Sequence, residues 1–150
     1  MAAMVKPLVI KIGGSTLGSN DSSMVDIANL WNAGERVILV HGGGAAATEW
    51  LKIHGVESEF VDGLRVTRGD SLDVVVAVFA GLCNKQIVAD LRVLGAPAFG
   101  LSGIDGGVLQ TKQLDERLGF VRQALRGLRE RRPRSSRSFW SGKRRRAGTV

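Results

Sequence analysis

Three short segments set glycines beside a basic or imidazole side chain, at spacings that suit an anionic ligand. The first is Lys11-Ile12-Gly13-Gly14-Ser15. A lysine at a strand end, beside exposed backbone N–H groups, makes a local positive site for phosphate. The same residues also serve as a solvated strand-end charge and a plain turn. The second is His41-Gly42-Gly43-Gly44. Successive glycines remove every Cβ, so a ligand can reach the main chain, and a helix that starts there favours anions. The spacing is neither the dinucleotide fingerprint nor a phosphate loop with its lysine. His41 reads as a packed, hydrogen-bonded side chain rather than a base. The third is Gly63-Leu64-Arg65-Val66-Thr67, where the Arg65 fork could hold a carboxylate bidentately. Taken alone, Arg65 reads as a surface arginine in a salt bridge.

Chemistry at these positions needs a frame that brings them together. The apolar patterning predicts buried strands at 8–12 and 36–40, each running into one of the first two glycine segments. Helices are expected at 24–33, with Asp21, Ser22 and Ser23 as candidate caps and Gly34 as the stop, and at 45–54, closed by Gly55. Residues 56–61 read as extended. The longest helical period covers 71–94, capped by Asp70 and followed by Gly95, with apolar residues from Leu72 to Leu94 at helical spacing. Residues 98–101 read as a third buried strand and 108–111 as another. Buried strands alternating with helices imply a mostly parallel sheet with right-handed crossovers, and ligands in such folds bind beyond the carboxyl ends of the strands.

Other reactive residue types take plainer roles. Cys83 is the only cysteine of the 150 residues, so no intramolecular disulfide forms, which fits a reducing cytoplasm. In the long helix it reads as a small core residue rather than a nucleophile. Trp31 and Trp50 are expected to be packing residues. Asp105, between glycines, reads as a turn residue rather than a metal ligand, and no metal site is expected. No run of about 18 uninterrupted apolar residues suggests a membrane span, and the start does not read as a secretory signal.

The net charge of +7 suggests nucleic acid until it is split by position. Residues 1–116 hold 9 Lys+Arg against 13 Asp+Glu, a net −4, whereas residues 117–150 hold 12 against the single Glu130, a net +11. The basicity belongs to the last 34 residues, where arginine dominates and no apolar period survives.

Taken together, the three segments resemble in order and spacing the N-terminal half of the amino acid kinase family, and its acetylglutamate kinase branch in particular. Further matching motifs are Ala80-Gly81-Leu82-Cys83-Asn84-Lys85, Gly100-Leu101-Ser102-Gly103-Ile104-Asp105-Gly106-Gly107 and Gln113-Leu114-Asp115-Glu116-Arg117-Leu118-Gly119-Phe120-Val121. The resemblance covers residues 7–121. It implies a three-layer αβα sandwich around a mostly parallel open sheet, here incomplete. It also implies ATP-dependent phosphorylation of the side-chain carboxylate of N-acetyl-L-glutamate on the route to arginine, with Mg-ATP as co-substrate and a homo-oligomer in the intact enzyme. By the same resemblance Lys11 would stabilise the phosphoryl group in flight. Gly13 and Gly14 would admit the phosphates, Gly43 and Gly44 would offer N–H groups to the acceptor, and Arg65 would clamp its α-carboxylate. Asn84 and Lys85 match the family's helix pattern without a chemical role.

The resemblance divides the chain into a substrate-binding half, 1–121, and a basic Arg/Ser-rich tail, 122–150, expected to be disordered. The family's ATP-binding region has no counterpart in these residues, so the chain is expected to be inactive alone. The abrupt switch near 121 fits a change of reading frame; the competing reading is a basic arm for nucleic acid. Two other functions stay open: a kinase for carrier-protein-linked aminoadipate or glutamate, and a non-catalytic module that binds an acylated amino acid.

Overall fold

The structure, a computed structural model, describes residues 6–13 and 22–125. Gly14, Ser15 and the candidate cap Asp21 therefore lie outside the described residues, as does the basic segment from 126 onward.

Strand β1 (Leu8–Ile12) runs parallel to β2 (Val37–His41), with Lys11 opposite Val40 and Ile12 opposite His41. Between them lies α1 (Ser23–Asn32), and β2 feeds α2 (Gly44–Ile53) through Gly42 and Gly43. This is the alternating mixed α/β arrangement with a parallel sheet that the patterning predicts, in incomplete form. Both helices, and the long one that follows, close through the same pair of backbone bonds. Gly34 donates to Trp31 O and Glu35 to Leu30 O; Gly55 and Val56 repeat the pattern, as do Gly95 and Ala96.

Helix α3 (Gly69–Val93) is 25 residues long. It starts two residues before the expected position, because Arg68 is its N-cap and Ser71 closes the turn; Asp70 lies inside the first turn, where its carboxylate accepts from the Ser71 N–H at 2.9 Å. The Arg68 N–H donates to Ser71 Oγ at 2.9 Å, and that hydroxyl donates back to Arg68 O at 3.0 Å. The helix is not α-helical throughout: Ala77–Cys83 is a π segment, wider than an α-turn. By length and composition α3 could cross a membrane. In this fold it buries Ser71, Val78, Asn84, Ile87 and Leu91, the last two in the core beneath the β1–β2 sheet.

One face of the β1–β2 sheet is covered. Ile12 packs with Ile27 and Ala28 of α1, Ile87 and Leu91 of α3, and Ala96, with Ile10, Val37 and Leu39 alongside. The opposite face corrects the expectation of strands buried on both sides. Val9 is 62% exposed, Ile38 49% and Val40 48%. Of the three layers the resemblance implies, the described residues hold the sheet and the helices on one face.

The expected strand at 98–101 does not form. Pro97 has no N–H to give a ladder, and the Ala98 N–H turns back to Ala96 O at 2.8 Å. Residues 56–61 contribute only a short strand, β3 (Phe60–Val61), which pairs antiparallel with β4 (Leu64–Arg65). Asp62 (φ 50°) and Gly63 (φ 75°) make the two-residue turn between them, with the positive φ at both positions that a tight hairpin requires. The last strands are β5 (Thr111–Gln113), later than the expected 108–111, and β6 (Arg122–Ala124), paired antiparallel. Strand pairing thus continues three residues beyond the boundary placed at 121. Trp31 and Trp50 are about two-fifths exposed rather than packed inside.

Candidate functional site

The parallel register sets the two glycine segments side by side. The Gly42 N–H donates to Ile12 O at 3.2 Å, so the chain leaving β1 and the chain leaving β2 are hydrogen-bonded where both turn. Alternation along β1 puts Lys11 opposite in sense to the buried Ile12, hence on the open face, and its side chain is exposed. Gly13 follows directly.

Gly43 is the N-cap of α2 and is buried, whereas Gly44 is exposed. The need for glycine at 43 is steric. A Cβ there would lie 2.9 Å from Cys83 Sγ and 3.0 Å from a ring carbon of Phe79, both on the π segment of α3. A Cβ at Gly44 would meet nothing within 4 Å. The first N–H groups of α2 have no acceptor within the helix, and the helix dipole favours an anion near them.

Arg65 reaches this turn from the hairpin. Its Nη2 donates to Gly44 O at 3.0 Å and to Thr48 Oγ1 at 2.6 Å, its Nη1 donates to Ser58 Oγ, and its guanidinium lies 4.7 Å from the Phe60 ring centroid. Burial lowers its pKa from the ordinary arginine value. Among the described residues Arg65 makes no ion pair. The salt-bridged surface arginine expected from the residue alone is not what forms. Among the described residues the guanidinium is held by neutral acceptors and no carboxylate matches its charge, which suits an anionic ligand.

The base of the Arg65 hairpin is pinned by a distant motif. The Thr67 N–H donates to Leu118 O at 3.0 Å, and the Phe120 N–H donates to Thr67 O at 2.7 Å. Gly119, between them, has φ 68° and ψ −120°, and a Cβ there would overlap the Thr67 carbonyl. Asp115 caps the short turn before it, accepting from the Arg117 N–H at 2.8 Å and from the Arg117 fork at 2.7–3.2 Å. These bonds hold its carboxyl below the usual range.

The sequence does not announce Asn84. It is buried, on the same face of α3 as Ile87 and Leu91, and its Nδ2 lies 3.2 Å from His41 Nε2. The signal available was an amide at a core position of an apolar helical stripe. Lys85 Nζ donates to Asn84 Oδ1 at 3.0 Å and toward Gly100 O at 3.4 Å. His41 is packed and hydrogen-bonded, as expected, with Nδ1 3.0 Å from Gly42 O. Cys83 lies against Gly43, and burial raises its thiol pKa, which disfavours the thiolate. Asp105 accepts from the Ser102 N–H and, at 2.8 Å, from its hydroxyl, a turn role.

The structure therefore brings Gly43, Gly44 and Arg65 into one cluster, with Lys11 and Gly13 on the adjoining strand end. Known proteins are similar to this chain over most of its length. The profile of the amino acid kinase family matches residues 6–135. An acetylglutamate kinase of Solibacter usitatus is 47% identical over 117 residues, 76% of this chain and 46% of that protein. One from Geobacillus kaustophilus is 44% identical over 120 residues, 79% of this chain and 46% of that protein. Among solved structures, the protein smu.665 of Streptococcus mutans superposes with a TM-score of 0.71 at 29% identity, over 78% of this chain and 49% of that one. The chain spans about half the length of the relatives it matches.

Proposed function

The chain belongs to the amino acid kinase family, and on that premise we propose that residues 6–125 form the acceptor-binding half of a carboxylate kinase of the acetylglutamate kinase type. The carrying observation is the meeting of an arginine that has no ion pair among the described residues with the glycine turn of α2, through the 3.0 Å bond from Arg65 Nη2 to Gly44 O.

In this reading the acceptor is N-acetyl-L-glutamate and the donor is ATP with Mg, in a reaction between soluble substrates in the cytoplasm. The side-chain carboxylate is already an anion, so no general base is needed. Its oxygen attacks the terminal phosphorus of ATP, the bond to the bridging oxygen breaks, and an acyl phosphate and ADP result. Catalysis is positioning plus cancellation of charge as two anions approach. Arg65 binds the α-carboxylate, the N–H groups of Gly43 and Gly44 face the acceptor, and Lys11 balances charge on the phosphoryl group. Gly13 and Gly14 admit the phosphates. No group of three or more His, Cys, Asp or Glu that could hold a metal exists among the described residues. In this reading Mg would accompany the nucleotide.

The reading is tested by trapping acyl phosphate with hydroxylamine. The 150-residue polypeptide, given Mg-ATP and N-acetyl-L-glutamate, should give no hydroxamate above background, whereas a chain completed to the length of its relatives should give it readily. Robust hydroxamate from the 150 residues alone overturns the half-site reading. A completed chain active only on carrier-linked aminoadipate or glutamate overturns the choice of acceptor.

A further inference from the structure

Resting on that acceptor-site reading, we propose that Asn84 is a positioning residue of the glycine turn, which it holds by fixing His41 as the neutral imidazole with its proton on Nδ1. What each partner can donate fixes the arrangement. A lysine ammonium has donors only, so the Asn84 atom 3.0 Å from Lys85 Nζ is its oxygen. That fixes the amide orientation and leaves Nδ2, also a donor, facing His41 Nε2 at 3.2 Å. Nε2 must then accept and carry no proton. The ring proton lies on Nδ1, where it is donated to Gly42 O at 3.0 Å.

The chain of bonds Lys85–Asn84–His41–Gly42 thus runs from α3 to the peptide that precedes Gly43. Asn84 is 94% buried, so losing a partner would leave its amide largely shielded from water, at a desolvation cost. The Gly42 carbonyl is tied by the ring, and the Gly42 N–H is tied to Ile12 O at 3.2 Å. Both sides of that residue are set, and with them the direction of the Gly43 N–H, which shares the peptide plane of the Gly42 carbonyl. Gly100 completes the arrangement, because the Asn84 amide occupies the space that a Cβ at 100 would take.

The test is a long-range proton–nitrogen spectrum of the histidine rings of the full 150-residue chain, at neutral pH. There are two histidines, and His54→Gln identifies the His41 signals. The expected pattern is that of the Nδ1–H tautomer. Asn84→Asp presents an acceptor in place of the donor and should move His41 off that pattern. Gly100→Ala leaves both residues in place but displaces the amide, and should do the same. Each variant should weaken binding of N-acetyl-L-glutamate about tenfold or more, through misplacement rather than lost contact. An Nε2–H pattern in the unmutated chain, or variants that leave the ring pattern unchanged, overturns the network. Failure of the unmutated chain to bind N-acetyl-L-glutamate overturns the acceptor reading on which the proposal rests, independently of the ring pattern.

Discussion

Arg65 Nη2 sits 3.0 Å from the carbonyl oxygen of Gly44, so residues 21 apart in sequence meet at the first turn of one helix. The bond depends on the Asp62–Gly63 hairpin, which returns the chain so that Arg65 stands opposite Phe60. A flexible arginine placed by a backbone turn, an aromatic face and neutral acceptors is ordered before ligand arrives, which lowers the entropic cost of binding.

The roles assigned to Lys11 and Arg65 predict different kinetic losses in a chain completed to the length of its relatives. Lys11→Ala should lower kcat by about 100-fold or more, in line with ~3 kcal/mol for a single electrostatic donor to the transition state. Arg65→Ala should mainly raise the KM for the acyl amino acid. Arg65→Lys should not restore it, because a point charge cannot reproduce the planar fork. Equal, small effects of both alanine variants in steady-state assays contradict the assignment.

Neighbouring glycines should fail in opposite ways. Gly43→Ala forces a methyl against Cys83 Sγ and Phe79 and should cost about 1–3 kcal/mol in chemical denaturation. Adding Cys83→Ala should recover part of that loss. Gly44→Ala meets no atom within 4 Å, so stability should hold while acceptor affinity falls.

Gly119→Ala combines a positive φ with overlap of the Thr67 carbonyl. It should cost more than ~2 kcal/mol and release the base of the Arg65 hairpin. Hydrogen exchange at Thr67 and Phe120 reports that release directly; full protection in the variant contradicts the structural role.

The open face of the sheet should make the 150-residue chain aggregation-prone and its unfolding broad. Ile38→Thr removes exposed apolar surface there and should change stability by no more than about 0.5 kcal/mol while reducing light scattering on heating. Leu91→Ala, in the covered layer, should cost about 2–5 kcal/mol. Similar losses for both substitutions would show that the face is covered in solution.

Local rules made part of this fold legible in the sequence. β1 matches its predicted span, and α1, α2 and β2 lie within one residue of theirs, because apolar runs and closing glycines are encoded next to the elements they shape. Gly43, Gly44 and Arg65, which the structure brings together, stand out in the sequence through their spacing and resemblance. Physics acting at a distance was hidden. The Ala98 N–H is diverted by its own chain at Pro97, so an apolar run did not become a strand. The Asp62–Gly63 turn was a readable hairpin signal, but the strands beside it are only two residues long. Asn84 looked like a helix residue of no chemical role until β2 placed His41 3.2 Å away. The open sheet face could not be read from composition, since Val9, Ile38 and Val40 are as apolar as the residues on the covered side.

The central claim, that this half-chain holds an acyl-amino-acid acceptor at the Gly43–Gly44–Arg65 cluster, is tested most directly by titrating the 150-residue chain with N-acetyl-L-glutamate while following its amide and arginine side-chain resonances. The account predicts saturable shifts at Gly43, Gly44 and the Arg65 guanidinium, lost in Arg65→Ala and much weaker with unacetylated L-glutamate. No saturable shift, or shifts that persist unchanged in Arg65→Ala, would contradict it.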